Sequence, residues 1–337
     1  MASGKRDIWV DNVKVVACIL VVLGHFFQSM VKAGLMVDSF AYNYFENTIY
    51  YFHVPLFFIC SGYLYQKYSK VHDIKAWKNS MKKKFIALGI PYFIFSFATW
   101  ILKKAFSSSV NTEIGGLGDT LFNHPTSPYW YLYILFIIFA ITWTTNSVKQ
   151  QYLLLAISIC MKLANIYGVK TGLYFIDNTL ANCVWFVLGM TIAYGTIKML
   201  NVLMSIVLFI IFLLGSTVSD LGYLHFKLQG FLLALLACYS VISLINYLYK
   251  DGVQNKEMAF VAKYTMPIFL MHTLFAAPFR SVLLKLGVNN LIIHILLGLV
   301  VSFVCPVIAM IVMEKFKPLD FLVYPNRYVC MTGKSNE

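Results

Sequence analysis

An apolar run near the start of the chain carries two ionisable side chains on one helical face. Residues 12–33 form a run of membrane-spanning length. Lys14 and His25 lie eleven residues apart in this run, which is close to three whole helical turns. The two side chains therefore share a face and lie about 16 Å apart along the axis. Ionisable groups inside a membrane segment cost about 2.5–3.5 kcal/mol on insertion scales and usually line a functional cavity. We therefore expect this stripe to mark the functional site.

The rest of the chain is similarly apolar. Hydrophobic residues make up 60% of the sequence and charged residues 12%, against about 45–50% and about 25% in ordinary soluble domains. The mean hydropathy is +0.73, and the apolar residues come in blocks of about 17–25, the length of membrane-spanning helices. This pattern predicts an all-α, polytopic integral membrane protein in which residues 1–337 form one domain. We expect the first helix to be retained rather than cleaved as a signal peptide.

Apolar runs separated by charged or turn-rich breaks predict about ten transmembrane helices. They span roughly residues 12–33, 46–66, 84–104, 129–146, 149–167, 179–198, 201–219, 227–249, 258–279 and 291–314.

The distribution of basic residues predicts how these helices are oriented in the membrane. Positive residues collect in the cytoplasmic loops of membrane proteins, which accounts for the net charge of +13 without a nucleic-acid partner. With the N-terminus inside, the predicted cytoplasmic segments hold more than twice as many Lys and Arg residues as the outer segments. The predicted outer cations are Lys32, Lys103, Lys104, Lys170, Lys227, Arg280 and Lys285. The pattern predicts a multi-pass protein of the bacterial cytoplasmic membrane, surrounded by membrane lipids, with both termini in the cytoplasm.

Two predicted loops allow two interpretations each. The lysine-rich segment 67–84 either attracts anionic lipid head groups or receives a polyanionic donor such as coenzyme A through Lys82, Lys83 and Lys84. The outward loop 105–128 contains Glu113, Asp119 and His124 and runs into Tyr129, Trp130 and Tyr131. These aromatic side chains either anchor the helix at the membrane interface or form a platform for a sugar.

The cysteines and histidines show no metal-binding pattern. The seven cysteines include no C-x-x-C pair, and we expect them to be free thiols that pack as small apolar side chains. The histidines show no i, i+4 pairing. We expect neither a metal nor a bound cofactor, and no feature of the sequence sets an oligomeric state.

Several phrases of the sequence resemble a known family. RDIWVDNVK, VVLGHF and FHVPLFFICSGY in the first two predicted helices, and later PYWYLYILF, VWFVLGM and MPIFLMHTLF, are similar to phrases of the acyltransferase 3 family of membrane O-acyltransferases. The chain looks most like the fucose 4-O-acetylase-like branch. The resemblance implies transfer of an acetyl group from acetyl-CoA, as co-substrate, to a hydroxyl of a cell-surface or lipid-linked sugar.

This chemistry assigns roles to the first predicted helix. O-acyl transfer needs a base for the acceptor hydroxyl and a site that holds the thioester donor in line. His25 suits the base because an imidazole accepts and donates a proton near neutral pH. Asp11 and Lys14, one turn apart, either form an interfacial salt bridge or hold and orient the donor. The family most often has Arg at position 14, and Lys lacks the planar fork that clamps a phosphate.

The remaining candidates would contact the acceptor, and for His53, next to Pro55, the alternative is a structural hydrogen bond. They are His53, Trp130, His272 and Arg280. His25, His53 and His272 fall at mid-bilayer or in the outer half of the predicted helices, as a shared pocket requires. Ser61 and Gly62 favour close helix packing, because FFICSGYL lacks the nucleophile-elbow motif. The alternative function is an ion-coupled secondary transporter that uses Lys14 and His25 as a relay, although the sequence shows no inverted repeat.

Overall fold

The structure is a computed structural model that describes residues 7–106 and 115–329. Helices and connecting loops, without a strand, make up these described residues. The helices are α1 (Ile8–Lys32), α2 (Phe40–Tyr50), α3 (His53–Tyr68), α4 (Ile74–Lys84), α5 (Ile90–Ala105), α6 (Trp130–Ile141), α7 (Val148–Ile166), α8 (Tyr174–Ala193), α9 (Val202–Asp220), α10 (Gln229–Leu248), α11 (Lys256–Lys285), α12 (Leu291–Met313) and α13 (Lys317–Val323). A π-helical turn, Phe85–Gly89, joins α4 to α5.

Many of these helices are long and apolar enough to cross a membrane. Seven candidate spans occur in the described part of the chain: α1, the continuous segment Ile74–Ala105, α8, α9, α10, α11 and α12. The all-helical membrane architecture is therefore confirmed. The total of about ten spans and the cytoplasmic location of both termini stay predictions. Lys5, Arg6, Glu113, Cys330 and Lys334 lie outside the described residues.

The second predicted helix is divided. A break at Tyr51 and Phe52 separates α2 from α3, where the sequence predicts one helix over 46–66. Pro55 lies in the first turn of α3, where a residue without a backbone N–H is tolerated because that group has no helical partner there. The break places His53 at the start of a new helix.

The fourth predicted helix ends early, at Ile141 instead of residue 146. The polar segment that follows it is bonded to the end of α3. The Tyr65 hydroxyl donates to the Thr142 carbonyl at 2.9 Å, and the Gln66 amide donates to the Thr145 carbonyl at 2.9 Å. These tertiary hydrogen bonds take carbonyls that a longer helix would use.

Helices α3 and α8 pack very closely. A Cβ atom added at Gly62 on α3 would overlap the carbonyl oxygen of Phe186, and one added at Gly189 on α8 would overlap the carbonyl oxygen of Ile59. Small residues allow such close backbone approach between membrane helices. The packing interpretation of Gly62 is confirmed. Its neighbour Ser61 shares a hydrogen bond of 3.1 Å with the Tyr131 hydroxyl.

Helix α1 lies at the centre of the bundle. It packs against α11 and α3, with further contacts to α10, α12 and α2. Asp7 ties its first turn to the end of α3, because its carboxylate accepts hydrogen bonds from Lys67 at 2.7 Å and from the Tyr68 hydroxyl at 2.6 Å. This central position brings the Lys14–His25 stripe into contact with several helices at once.

Candidate active site

His25 lies at a junction of three elements. It projects from α1 towards the loop before α6, where its Nε2 is 3.2 Å from the Ser127 hydroxyl. Its ring stacks on that of His272 from α11, with centroids 5.5 Å apart and planes inclined by 27°. The uninterrupted helix Ile8–Lys32 keeps Lys14 on the same stripe, about three turns away.

His272 and His53 are each hydrogen-bonded to the backbone through the ring nitrogen Nδ1. Nδ1 of His272 lies 2.9 Å from the Ile268 carbonyl and 3.0 Å from that of Phe269. Nδ1 of His53 lies 2.7 Å from the Ile49 carbonyl. A carbonyl only accepts, so in each ring Nδ1 carries the hydrogen, and in the neutral ring Nε2 is the acceptor. Nε2 of His272 is buried without a hydrogen-bond partner among the described residues.

A cavity of about 490 Å³ opens beside His25. We call it the aromatic cavity, and its wall includes His25, His53, Trp130, Tyr131 and Trp185. Its volume lies in the range of small-molecule sites, roughly 300–1,000 Å³. Aromatic faces with a few polar groups provide a surface on which a sugar ring can stack. The predicted acceptor residues His53 and Trp130 therefore share one cavity with His25.

A second cavity, of about 360 Å³, also borders His25. We call it the basic cavity, because its wall includes Lys32, Lys103, Arg280 and Lys285. His25, Gln28 and Ser127 line both cavities. Nη1 of Arg280 donates to the Ser29 hydroxyl at 2.6 Å. Arg280 thus lies with His25 in this cavity, whereas Trp130 and His53 lie in the other.

The opposite end of the α1 stripe holds a pair of cations. Lys14 and Lys84 are both half-buried, and they lie close enough for their charges to interact. The Lys84 ammonium sits 4.0 Å from the centroid of the Phe139 ring. Lys82 lines a separate groove on α4, and Lys83 is exposed. The structure thus brings Lys14 together with one of the three predicted donor lysines, and Asp11 lies one turn before Lys14.

The three aromatic residues at the start of α6 have different surroundings. Tyr129 is fully buried, and its hydroxyl donates to the Leu270 carbonyl at 2.9 Å. Trp130 and Tyr131 line the aromatic cavity. In the loop before them, the His124 imidazole lies 2.9 Å from Asp119, and this contact lowers the pKa of that exposed carboxyl.

Three polar residues of the site were not predicted from the sequence. They are Ser127, Gln28 and Lys162, which line one or both cavities. Lys162 offered a signal, because it interrupts an apolar helix; its ammonium donates to the Ala181 carbonyl at 3.0 Å. Gln28 lies one turn after His25 on α1, on the face that the stripe already indicates. Ser127 gave no local signal, since only the folded loop brings it to His25.

The arrangement suits proton transfer between two bound molecules. An imidazole that borders two cavities can accept a proton from a hydroxyl placed where the Ser127 hydroxyl now lies. Across residues 7–106 and 115–329, no group of three or more His, Cys, Asp or Glu side chains could hold a metal ion.

Comparisons with known proteins identify the family of this chain. A family model described as an acyltransferase domain matches residues 7–311. The chain is 30% identical over 140 residues to nodulation protein NolL of Mesorhizobium japonicum, which covers 41% of this chain and 35% of that protein. It is 44% identical over 62 residues to nodulation protein NolL of Sinorhizobium fredii, 18% of this chain and 16% of that protein. The matches thus span about a third or less of these relatives, and no solved structure matches the chain. Because the family model matches nearly the whole chain, the protein belongs to the acyltransferase 3 family of membrane proteins.

Proposed function

We propose that the protein transfers an acetyl group from cytoplasmic acetyl-CoA to a hydroxyl of a cell-surface or lipid-linked sugar, with His25 as general base. The observation that carries this proposal is that His25 borders two cavities and has its Nε2 within hydrogen-bond distance of a hydroxyl. Membership in the acyltransferase 3 family supports the reaction class.

In the proposed reaction, the acceptor hydroxyl takes the place of the Ser127 hydroxyl at Nε2 of His25. As the acceptor oxygen forms its bond to the thioester carbonyl carbon, its proton passes to Nε2. The tetrahedral intermediate then collapses, the carbon–sulfur bond breaks, and the imidazolium returns the proton to the coenzyme A sulfur. The products are an O-acetyl ester and free coenzyme A, and His25 is restored.

The donor would approach from the Lys14 end of α1. Lys14 and Lys84 bring two positive charges to the buried end of the stripe, and phosphate groups are attracted to such charges. Lys14 lies about 16 Å from His25 along the helix. An extended donor held at Lys14 would therefore point its thioester along the stripe towards the imidazole, as an in-line reaction requires.

The acceptor sugar would lie in the aromatic cavity. Trp130 and Trp185 provide flat apolar surfaces there, and His53 provides a hydrogen-bonding nitrogen, Nε2. A few placed polar groups in an otherwise apolar pocket orient a ligand. Direct transfer to this sugar requires no acyl-enzyme intermediate, so Ser127 is not a nucleophile in this reaction, and its hydroxyl marks where the acceptor hydroxyl would bind.

Transfer of a label tests this function. Purified protein is incubated with acetyl-CoA labelled in the acetyl group and with extracted envelope glycans, and both glycan and protein are examined for label. We expect a base-labile acetyl ester on the glycan, no acetylated protein, and activity of Ser127→Ala within about tenfold of the parent, as for loss of one neutral hydrogen bond. Label that reaches only water, or that accumulates on Ser127, would contradict the proposal.

A further inference from the structure

The basic cavity is lined by several cationic side chains, which binding of a neutral sugar does not require. We propose that the acceptor carries a phosphate or pyrophosphate group and that the basic cavity binds this anion beside His25. The inference rests on the proposed function for the identity of the ligand as acceptor. The anion-binding site itself rests on the charges and contacts that follow.

Cations of the predicted outer side converge on this cavity. Four of the seven outer Lys and Arg residues line it: Lys32, Lys103, Arg280 and Lys285. They come from three different helices, α1, α5 and α11. The positive-inside pattern leaves few cations on this side, so their convergence on one cavity is not explained by topology.

The cations that α5 and α11 bring to this cavity have no acidic partner among the described residues. The lining residues that the structure describes include no Asp or Glu. Ion pairs within residues 7–106 and 115–329 involve none of Lys103, Arg280 and Lys285. Arg280 instead donates to the neutral Ser29 hydroxyl. Like charges gathered around a small cavity repel one another. A bound anion would offset this repulsion because it attracts each of the cations.

The cavity fits a phosphate group better than an isolated carboxylate. Arg280 has a planar fork that holds two phosphate oxygens at once, while lysines act as mobile point charges around it. A doubly or triply charged anion also suits four surrounding cations. Because His25 and Ser127 border both cavities, a phosphate here would lie next to a sugar in the aromatic cavity. The inferred ligand is therefore a phosphorylated or pyrophosphorylated glycan.

Binding of acetyl-CoA does not account for the positive charge of the basic cavity. The proposed donor lysines, Lys14 and Lys84, lie at the other end of the α1 stripe, about 16 Å from His25. The basic cavity lies at the His25 end, between the second half of α1 and the second half of α11. Two cationic sites on opposite sides of His25 are what two anionic substrates would require.

Binding of inorganic pyrophosphate tests this inference. The full chain, in nanodiscs of zwitterionic lipid, is titrated with pyrophosphate by isothermal calorimetry at low salt. The variants are Lys103→Gln and Arg280→Gln, and the matched control is Lys104→Gln, because Lys104 is the exposed neighbour of Lys103 and lies over the Trp100 ring. Arg280→Lys keeps the charge without the fork, so it remains informative if Arg280→Gln fails to fold.

We expect saturable binding to the parent and a Kd raised about tenfold or more in Lys103→Gln and Arg280→Gln, as for loss of a charged hydrogen bond. Arg280→Lys should show a smaller rise, and Lys104→Gln should match the parent. Saturating coenzyme A, which would occupy the Lys14–Lys84 end, should leave the Kd for pyrophosphate at the basic cavity unchanged. Unsaturable binding, equal affinity in all variants, or displacement by coenzyme A would overturn the inference.

Two probes then identify the source of the anion. A polyprenyl diphosphate-linked sugar and a soluble nucleoside diphosphate-linked sugar share the pyrophosphate diester but not the lipid. Tighter binding of the first assigns the anion to a membrane-anchored acceptor, and equal binding assigns it to a phosphorylated glycan. The calorimetry requires no catalysis. Pyrophosphate binding without acetyl transfer would contradict the proposed function alone, and acetyl transfer without pyrophosphate binding would contradict this inference alone.

Discussion

The imidazole rings of His25 and His272 stack across the α1–α11 contact, with centroids 5.5 Å apart. His272 is held by two backbone carbonyls through Nδ1 and is only 2% exposed. Its ring is therefore a rigid surface that positions His25. A fixed orientation of the imidazole is what the proposed proton transfer by His25 requires.

Substitutions at His272 separate ring packing from polarity. His272→Phe keeps a flat ring against His25, so we expect its kcat to stay within a few-fold of the parent. His272→Ala removes the surface, so we expect kcat to fall about tenfold or more, because misplacement of a reacting group by an ångström is costly. Steady-state kinetics of both variants checks this. A raised KM for the acceptor in His272→Phe, with kcat unchanged, would instead make His272 a direct acceptor contact.

If Lys14 and Lys84 bind the donor, substitution of either should change the KM for acetyl-CoA. Lys14→Ala and Lys84→Gln should each raise the KM for acetyl-CoA by about tenfold, because each removes a charge from a partly buried site. The effect should weaken only in part as salt rises, since partly buried charges are screened less than exposed ones. Lys82→Gln and Lys83→Gln should have smaller effects, because both side chains are exposed.

Lys149→Gln is the control for these donor variants. Lys149 is an exposed lysine on α7 outside both cavities and away from the Lys14–Lys84 pair. Its kinetic constants should match those of the parent. A loss confined to kcat in Lys14→Ala, with the KM for acetyl-CoA unchanged, would show that Lys14 does not hold the donor.

The close packing of α3 on α8 predicts a stability effect. Gly62→Ala and Gly189→Ala each place a methyl group into a backbone carbonyl of the partner helix. Overpacking of this kind costs about 1–3 kcal/mol, so both variants should unfold at lower temperature in detergent. Gly118→Ala is the control, because a Cβ there meets no atom within 4 Å. Unfolding temperatures equal to that of Gly118→Ala would contradict the packing account.

Short sequence patterns predicted several features of the structure. The phase of Lys14 and His25 follows from helical periodicity alone, and the structure keeps both on one uninterrupted α1. The FFICSGYL motif predicted close packing at Gly62, and the backbone contact with Phe186 confirms it. In each case the signal is contained within a few turns of one helix, so no knowledge of neighbouring helices is needed.

Contacts between distant segments could not be predicted in this way. Ser127 reaches His25 only because the loop before α6 folds over the end of α1. The early end of α6 depends on hydrogen bonds from Tyr65 and Gln66 of α3. Convergence of Lys103 and Arg280 on one cavity likewise depends on which helices are neighbours, and a hydropathy pattern does not contain that information.

The predicted orientation places the two cavities on the outer side of the membrane. Asp119→Cys and Lys83→Cys, each made in a cysteine-free background, test it with a thiol reagent that does not cross membranes. We expect position 119 to react in intact cells and position 83 only after the membrane is opened, because the lysine-rich segment is predicted to be cytoplasmic. Reaction of position 119 from the cytoplasmic side alone would reverse the orientation.

The central claim is that His25 moves the proton of the acceptor hydroxyl. The most direct measurement is the turnover of acetyl transfer by His25→Ala and His25→Gln, with folding checked by size-exclusion elution and unfolding temperature. General-base catalysis contributes about 10²–10⁴-fold, so we predict that well-folded His25→Ala loses that much turnover. His25→Gln should be nearly as inactive, because an amide keeps the hydrogen bond but cannot carry the proton. Near-normal acetyl transfer by well-folded His25→Ala, or rescue by His25→Gln, would contradict the account.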